Sequence, residues 1–357
     1  MYPALAVAHA LLETAPEVEL TWIGTLDGME GELIRREGLP FIGIPGGGVH
    51  GVAVRYAVRN GWDLARAVFV ARKHLRRERP VAILTTGGYV SGPVALAARW
   101  ESIPVVVFVP DIEPARSIKT IARFAARVCV TVPDSLSYFA RDKGVVTGYP
   151  LGRRITGWTK AKGLATLGLD GETPVLLIFG GSRGARSINR AVLGSIEALA
   201  ELAQVIHVAG TLDWAEVEAA RAELPALVRE RYVAYPYLHQ EMGAALAAAD
   251  LVVSRSGAGV LGEFPYFGLP AVLVPYPYAW RYQRVNAGWL ADRGAAVIIE
   301  DAALTAELLP TVTGLLTDET RRAAMSSAAS GLARANAAYE VARQVLAFEH
   351  EPAQATG

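Results

Sequence analysis

A single cysteine, Cys129, stands in 357 residues, so the chain can form neither an internal disulfide nor a cysteine-based zinc site. That usage fits a reducing compartment. Lying inside the apolar run Arg127-Val-Cys-Val-Thr-Val132, Cys129 reads first as a small buried strand residue. An excess of charge is lacking too: 35 basic side chains balance 35 acidic ones, so no net field gathers phosphates and no nucleic-acid partner is expected. Any electrostatic partner has to be met by a local patch. Although 52% of the residues are hydrophobic, no uninterrupted apolar run approaches the roughly 18 residues of a membrane span. The N-terminus does not show the basic, apolar and small-residue succession of a secretory signal. None of the six histidines is paired at ligand spacing and no acidic cluster accompanies Asp111-Ile-Glu113, so neither a metal site nor a cofactor is expected.

What is present is an alternation of short apolar runs with helical patterns. Strands are expected at 19–23, 41–44, 81–84, 104–109 and 127–132, then at 174–179, 204–208, 231–234, 251–254, 271–275 and 295–299. Helices are expected at 1–12, with Pro3 in the first turn where proline is tolerated, and at 93–100, 185–202, 241–249 and 283–293. A long alanine-rich helical stretch over 320–348 follows. Strands apolar throughout, with helices between them, predict parallel sheets covered on both faces. The rhythm restarts after Gly148-Tyr-Pro150, which predicts an α/β protein of two doubly wound domains with a cleft between them. The expected domains are 1–149 and 150–330, with a C-terminal helix in 331–357 packing back on the first. The opening helix, leading into a strand, reads as the second half of a βαβ unit. Its first strand and phosphate-facing turn are expected upstream of Met1.

Ligands of doubly wound sheets sit at the carboxyl ends of strands, and three glycine turns fall there. Leu177-Ile-Phe-Gly-Gly-Ser182-Arg-Gly184-Ala runs from an apolar strand through glycines into a helix. The unpaired N–H groups and partial positive charge of that helix start suit a phosphate, and Ser182 can add a hydroxyl; the alternative is an empty tight turn. Ser254-Arg-Ser-Gly257-Ala258-Gly259-Val260-Leu261-Gly262-Glu263 repeats the arrangement. Glu263 can accept hydrogen bonds from two vicinal ribose hydroxyls, or can simply be an acid favoured by the helix dipole. Thr86-Gly87-Gly88-Tyr89-Val-Ser91-Gly92-Pro93 opens a helix in the first half and suits a second phosphate-bearing ligand or, again, an empty turn. The aromatic and amide-bearing stretch 274–287, with Gln283 and Asn286, suits a hydroxyl-rich ligand or an interface. Asp111 and Glu113 follow a strand and offer a general base. The basic run Arg72-Lys-His-Leu-Arg-Arg-Glu-Arg79 after Phe69 fits either an anionic bilayer surface or a solvated helix end.

Together these segments resemble the MurG family over essentially the whole chain. The resemblance rests on the order and spacing of Tyr2-Pro-Ala-Leu-Ala-Val-Ala8, Gly87-Gly-Tyr-Val-Ser-Gly-Pro93, Gly180-Gly-Ser-Arg-Gly-Ala185, Arg255-Ser-Gly-Ala258 with Glu263, and Gln283 with Asn286-Ala. It implies the GT-B fold of two Rossmann-like domains, and metal-independent, inverting transfer of N-acetylglucosamine from UDP-GlcNAc to lipid-linked muramyl-pentapeptide in peptidoglycan synthesis. The implied place of work is cytoplasmic, peripheral on the inner face of the cell membrane. Position by position, Ser182 is implied as the donor-phosphate contact, Ala258–Glu263 as the segment around the nucleotide, Glu263 as the ribose acceptor, Gln283 as the sugar contact and the backbone at Leu238 as the uracil reader. The Gly87–Gly92 loop is implied to face the acceptor diphosphate.

Departures from the family pattern concentrate on the acceptor side. The family's Gly-Gly-x-Gly-Gly-His loop would end just before Met1, and a chain without it is expected to be inactive. Phe108-Val-Pro-Asp111 stands where the family reads His-Glu-Gln-Asn, so Asp111 puts a carboxylate in place of an amide and, with Glu113 second, is the expected base. Gly148-Tyr-Pro-Leu-Gly lacks the family's following arginine, and Arg153 is the nearest substitute for that nucleotide contact. The rival readings are a GT-B transferase with another lipid acceptor, a UDP-sugar epimerase and a non-catalytic UDP-sugar-binding homologue.

Overall fold

The computed structural model describes residues 1–349 except 27, 29, 46–53, 89, 182–183 and 279–280, and describes no side chains for 54–63. The chain divides into two compact units, Met1–Gly152 with Asn336–Gly357, and Arg153–Ala335.

Among its described residues, unit 1 holds two parallel sheets. One pairs β1 (Trp22–Thr25) with β2 (Phe41–Ile44); the other runs in the order β3 (Ile83–Thr85), β4 (Val105–Val109), β5 (Arg127–Val130), β6 (Gly144–Val146). β4 is buried at all five positions, which is why Val-Val-Val-Phe-Val can be apolar throughout. One face is covered by the helices Val54–Glu78 and Ser91–Trp100, through Ala67, Ala71, Leu75, Val94 and Ala98. The other is covered by the helix Tyr2–Thr14, through Val7, Ala10 and Leu11, together with Val341, Ala342 and Val345 of the helix Ala337–Leu346.

Unit 2 holds one six-stranded parallel sheet: β7 (Val175–Phe179), β8 (Gln204–Val208), β9 (Tyr232–Tyr235), β10 (Leu251–Ser254), β11 (Ala271–Leu273) and β12 (Ala296–Ile298). The order is β12-β11-β10-β7-β8-β9. The chain thus builds outward from β7 through β8 to β9, then returns to β7's other edge and builds outward again. The order reverses between β7 and β10, the position at which doubly wound sheets bind ligands. The expected α/β class of two Rossmann-like parallel-sheet domains, GT-B, is the fold found.

Candidate functional site

At the reversal point the register pairs Phe179 with Ser254, so the turns beginning at Gly180 and Arg255 leave the sheet side by side. The first turn has little freedom. Gly184 has φ +82°, and a Cβ there would lie 2.1 Å from the Ala209 carbonyl oxygen beyond β8. Only glycine meets both demands. The turn delivers the helix Arg186–Leu193, whose N-cap, Ala185, provides no side-chain cap, so its first N–H groups are available to an anion. Ser182, the expected phosphate contact, lies outside the described residues.

The second turn opens the helix Val260–Phe267. Gly257 has nothing within 4 Å of where a Cβ would stand, so packing does not require a glycine there and the space beside the turn is open. Ala258 and Gly259 are half-buried, Val260 and Leu261 anchor the helix in the core, and Gly262 and Glu263 are half-buried. The Glu263 carboxylate comes back over the turn, to 3.2 Å from the place of a Gly259 Cβ. It receives no hydrogen bond from the described residues. Burial raises its pKa above the ordinary carboxylate value, and the nearby Arg154 charge partly offsets that rise. A carboxylate held in this way is short of donors, and two adjacent hydroxyls would supply them.

The helix Tyr282–Ala291 closes the same edge. Fully buried Asn286 donates to the Ser256 carbonyl at 3.2 Å, and Ser256 Oγ donates to the Gln283 carbonyl at 2.8 Å, tying this helix to the second turn. The Tyr276 N–H donates to Gln283 Oε1 at 2.9 Å, so the Gln283 NH₂ is the half of the amide left for a ligand. Leu238 is buried at the carboxyl end of β9, two strands from β7. Arg153 is exposed, whereas its neighbour Arg154 is the cation close to Glu263. Sequence reasoning missed Arg154 because the proximity is tertiary and no local pattern marks it.

In unit 1 the expected acceptor-side residues also gather at strand ends. Gly87 (φ +90°) and Gly88 (φ +111°) follow β3 and lead into the helix Ser91–Trp100, in which Ser91 is buried and Gly92 half-buried. Tyr89 lies outside the described residues. Asp111 and Glu113, both half-buried, follow β4, which pairs with β3. A Cβ at Gly87 would stand 3.2 Å from Ile118, in the helix that comes after Glu113, so the two segments adjoin. No group of three or more potential metal ligands occurs among the described residues.

A surface feature lies elsewhere on unit 1. Phe69 is 62% exposed and Trp100 50%, with ring centroids 6.5 Å apart, and Leu96 is exposed beside them on the Ser91–Trp100 helix. Arg72 stands 5.5 Å from the Trp100 ring, and Arg72 and Arg76 both donate to Glu101. Those two hydrogen bonds, Arg72 first, lower the Glu101 pKa. The sequence reading found the basic run and Phe69 but not Trp100 or Leu96. No helix among the described residues is long and apolar enough to cross a membrane.

Two family models match the chain: the glycosyltransferase family 28 N-terminal domain over residues 1–130 and the family 28 C-terminal domain over 175–345. A curated relative from Roseiflexus sp. (strain RS-1), a UDP-N-acetylglucosamine–N-acetylmuramyl-(pentapeptide) pyrophosphoryl-undecaprenol N-acetylglucosamine transferase, is 38% identical over 96% of this chain and 91% of its own. The protein of the same name from Moorella thermoacetica (strain ATCC 39073 / JCM 9320) is 37% identical over 97% and 95%. Among solved structures, Acinetobacter baumannii MurG superposes with a TM-score of 0.74 at 28% identity, covering 97% of this chain and 95% of that one. A UDP-GlcNAc 2-epimerase from Neisseria meningitidis, solved bound to UDP-GlcNAc, superposes with a TM-score of 0.67 over 97% of each chain; at 13% identity this likeness shows the fold alone.

Proposed function

Because the chain belongs to glycosyltransferase family 28, as a member of the MurG family, we propose that it transfers N-acetylglucosamine from UDP-GlcNAc to a lipid-linked muramyl-pentapeptide in peptidoglycan synthesis. The observation that carries the donor half is the donor-poor Glu263 carboxylate beside an open glycine turn, next to an uncapped helix start at the sheet's reversal point. In this reading Glu263 accepts from the two ribose hydroxyls, and the diphosphate lies at the N-terminus of the Arg186–Leu193 helix with Ser182 contributing its hydroxyl. Gln283 donates its NH₂ to the sugar, and the Leu238 backbone meets the uracil. Arg154 joins Arg153 as a cation of this region. The acceptor diphosphate belongs to the Gly87–Gly92 loop.

The reaction is an in-line displacement. The acceptor oxygen forms a bond to the anomeric carbon as the bond from that carbon to the diphosphate oxygen breaks, inverting the centre. The acceptor proton passes to a base, for which Asp111 stands first and Glu113 second. Charge developing on the UDP leaving group is met by the helix N-terminus, with no metal entering the step.

Calorimetry with UDP-GlcNAc tests the donor half. Hydrogen bonds to a charged group contribute about 1.5–3 kcal/mol each, so losing both in Glu263→Ala should weaken binding about 100-fold or more with folding unchanged. Hydroxyl donors favour the ionised carboxylate. Wild-type affinity should therefore fall as pH drops through the raised Glu263 pKa, and that dependence should vanish in the variant. Unaltered affinity in Glu263→Ala would remove the ribose role. Incubation of UDP-GlcNAc without acceptor should leave it unchanged; conversion to a 2-epimer would favour the epimerase reading instead.

The work place proposed is the inner face of the cell membrane, with the Phe69, Leu96 and Trp100 patch and its basic rim as the docking surface. Aromatic rings insert at headgroup level, while each basic residue adds about 1 kcal/mol near anionic lipid. Co-sedimentation with vesicles containing phosphatidylglycerol should retain the wild type and lose the Phe69→Ser/Trp100→Ser variant. Equal retention of both would move the docking surface elsewhere.

A further inference from the structure

Arg255 has no part in the donor contacts above, yet its guanidinium ties several segments of that site together. Nη2 donates to Ser187 Oγ at 2.7 Å, in the first turn of the Arg186–Leu193 helix. Nη1 lies 2.5 Å from Asp301 Oδ1, at the start of the short turn after β12, and donates to the Val274 carbonyl at 3.2 Å, just past β11. Ser187 Oγ in turn donates to Asp301 Oδ1 at 2.7 Å, closing a triangle. The guanidinium carbon stands 5.3 Å from the Tyr276 ring, and the N–H of Tyr276 is what holds Gln283 Oε1. The Arg255 side chain is only 10% exposed.

Two branches therefore leave one cation. One reaches the helix start assigned to the diphosphate, the other the amide assigned to the sugar. Paired with Asp301, the guanidinium has its charge already engaged, so it acts through Ser187 and Tyr276 and not as a phosphate ligand. We propose that Arg255 is a positioning residue for donor transfer, fixing the Arg186–Leu193 helix start and the Gln283 amide relative to each other. The proposal rests on the donor reading given above. Its physical basis is the rigid planar fork of donors: lysine keeps the charge but cannot hold Ser187, Asp301 and Val274 at once or stack in the same way on Tyr276.

The first test needs no ligand. Hydrogen–deuterium exchange of the full chain should be faster in Arg255→Lys than in wild type over both 180–189 and 274–286, with β4 and β5 of unit 1 unchanged. Exchange unaltered in either segment overturns the coupling. The second test is calorimetry with UDP and with UDP-GlcNAc on Arg255→Lys, Gln283→Ala and the double variant. With a contact to the charged diphosphate and one to the sugar both loosened, Arg255→Lys should weaken UDP-GlcNAc about 10- to 100-fold and UDP less. In the Gln283→Ala background the loss for UDP-GlcNAc should shrink to the loss for UDP; additive losses overturn the proposal, because a merely structural arginine would not interact with Gln283. Ser187→Ala, the milder change, cuts one branch only and should weaken both nucleotides by the same factor; a selective loss of UDP-GlcNAc overturns the branch assignment. Wild-type protein that binds neither nucleotide defeats the donor reading and the proposal with it, an outcome distinct from additivity in a protein that binds.

Discussion

Asn189 donates through Nδ2 to the Ala209 carbonyl at 2.9 Å and to Asp213 Oδ2 at 3.0 Å, which leaves its Oδ1 as the acceptor facing His207 Nε2 at 3.0 Å. His207 therefore carries its proton on Nε2, and its Nδ1 accepts from the Tyr232 hydroxyl at 2.8 Å. The ring is fully buried and neutral, and burial lowers its pKa from 6.5 to about 4. Arg186, the first residue of the helix assigned to the diphosphate, completes the chain by donating to Asp213 Oδ1 at 2.9 Å. A histidine with a depressed folded-state pKa binds its proton more readily when unfolded. Its stabilising share is thus fully present above pH 6.5 and is lost as pH falls through about 4. The shift corresponds to about 3 kcal/mol. Urea unfolding at pH 7 and pH 4 should show the wild type losing about that much more stability than His207→Gln, which cannot titrate. The same pH dependence in both would mean that His207 titrates alike in the folded and the unfolded chain.

At the scale of elements, Gly184 joins backbone conformation to the candidate site. An alanine there would need a left-handed φ and would press its Cβ on the Ala209 carbonyl, so the turn must move. Strain of this kind costs about 1–3 kcal/mol. Gly184→Ala should lower urea stability by that amount and weaken UDP-GlcNAc by calorimetry; unchanged affinity would show that the turn can shift without its ligand noticing. This turn was legible in sequence because an apolar strand, glycines and a helix start follow one another without interruption. The fully buried strands were legible for the same local reason, and β8 and β10 fall at the expected residues. β6 was not, since Gly144–Val146 is three residues long, half-buried and opens on a glycine. The stretch 185–202, read as one helix, is two, Arg186–Leu193 and Ile196–Leu202, broken at Gly194-Ser195. Likewise 320–348 divides into Glu319–Ser330 and Ala337–Leu346 past Gly331. Alanine-rich composition carries helix propensity but says little about where a helix stops. Within the candidate site, residues inside a turn could be read, whereas Arg154, Ser187 and Asp301 could not, because chain segments far apart bring them together.

At the scale of the whole molecule, the chain leaves unit 1 at Gly152, builds unit 2 and returns to unit 1 at Asn336. The returning helix is no appendage. Val341 is fully buried, and with Ala338, Ala342 and Val345 it shares a core with Val7 and Leu11 of the first helix and Val106, Phe108 and Cys129 of the sheet. Cys129 shows how dry that core is: burial pushes its thiol up to about 12, which makes it an unreactive filler. Residues more than 300 positions apart in the 357-residue sequence thus complete one core, and unit 1 lacks part of that core without the segment that returns after Ala335. The stabilities of the two units should then separate under a substitution placed in the returning helix. Val341→Asp puts an unpaired charge in that core, a change that costs several kcal/mol. In scanning calorimetry of the full chain it should lower the transition of unit 1 alone. The transition of unit 2 is the one that UDP-GlcNAc should raise, by linkage, and it should stay where it is in the variant. A donor-sensitive transition that falls together with the other would mean that the returning helix supports both units, not the first only.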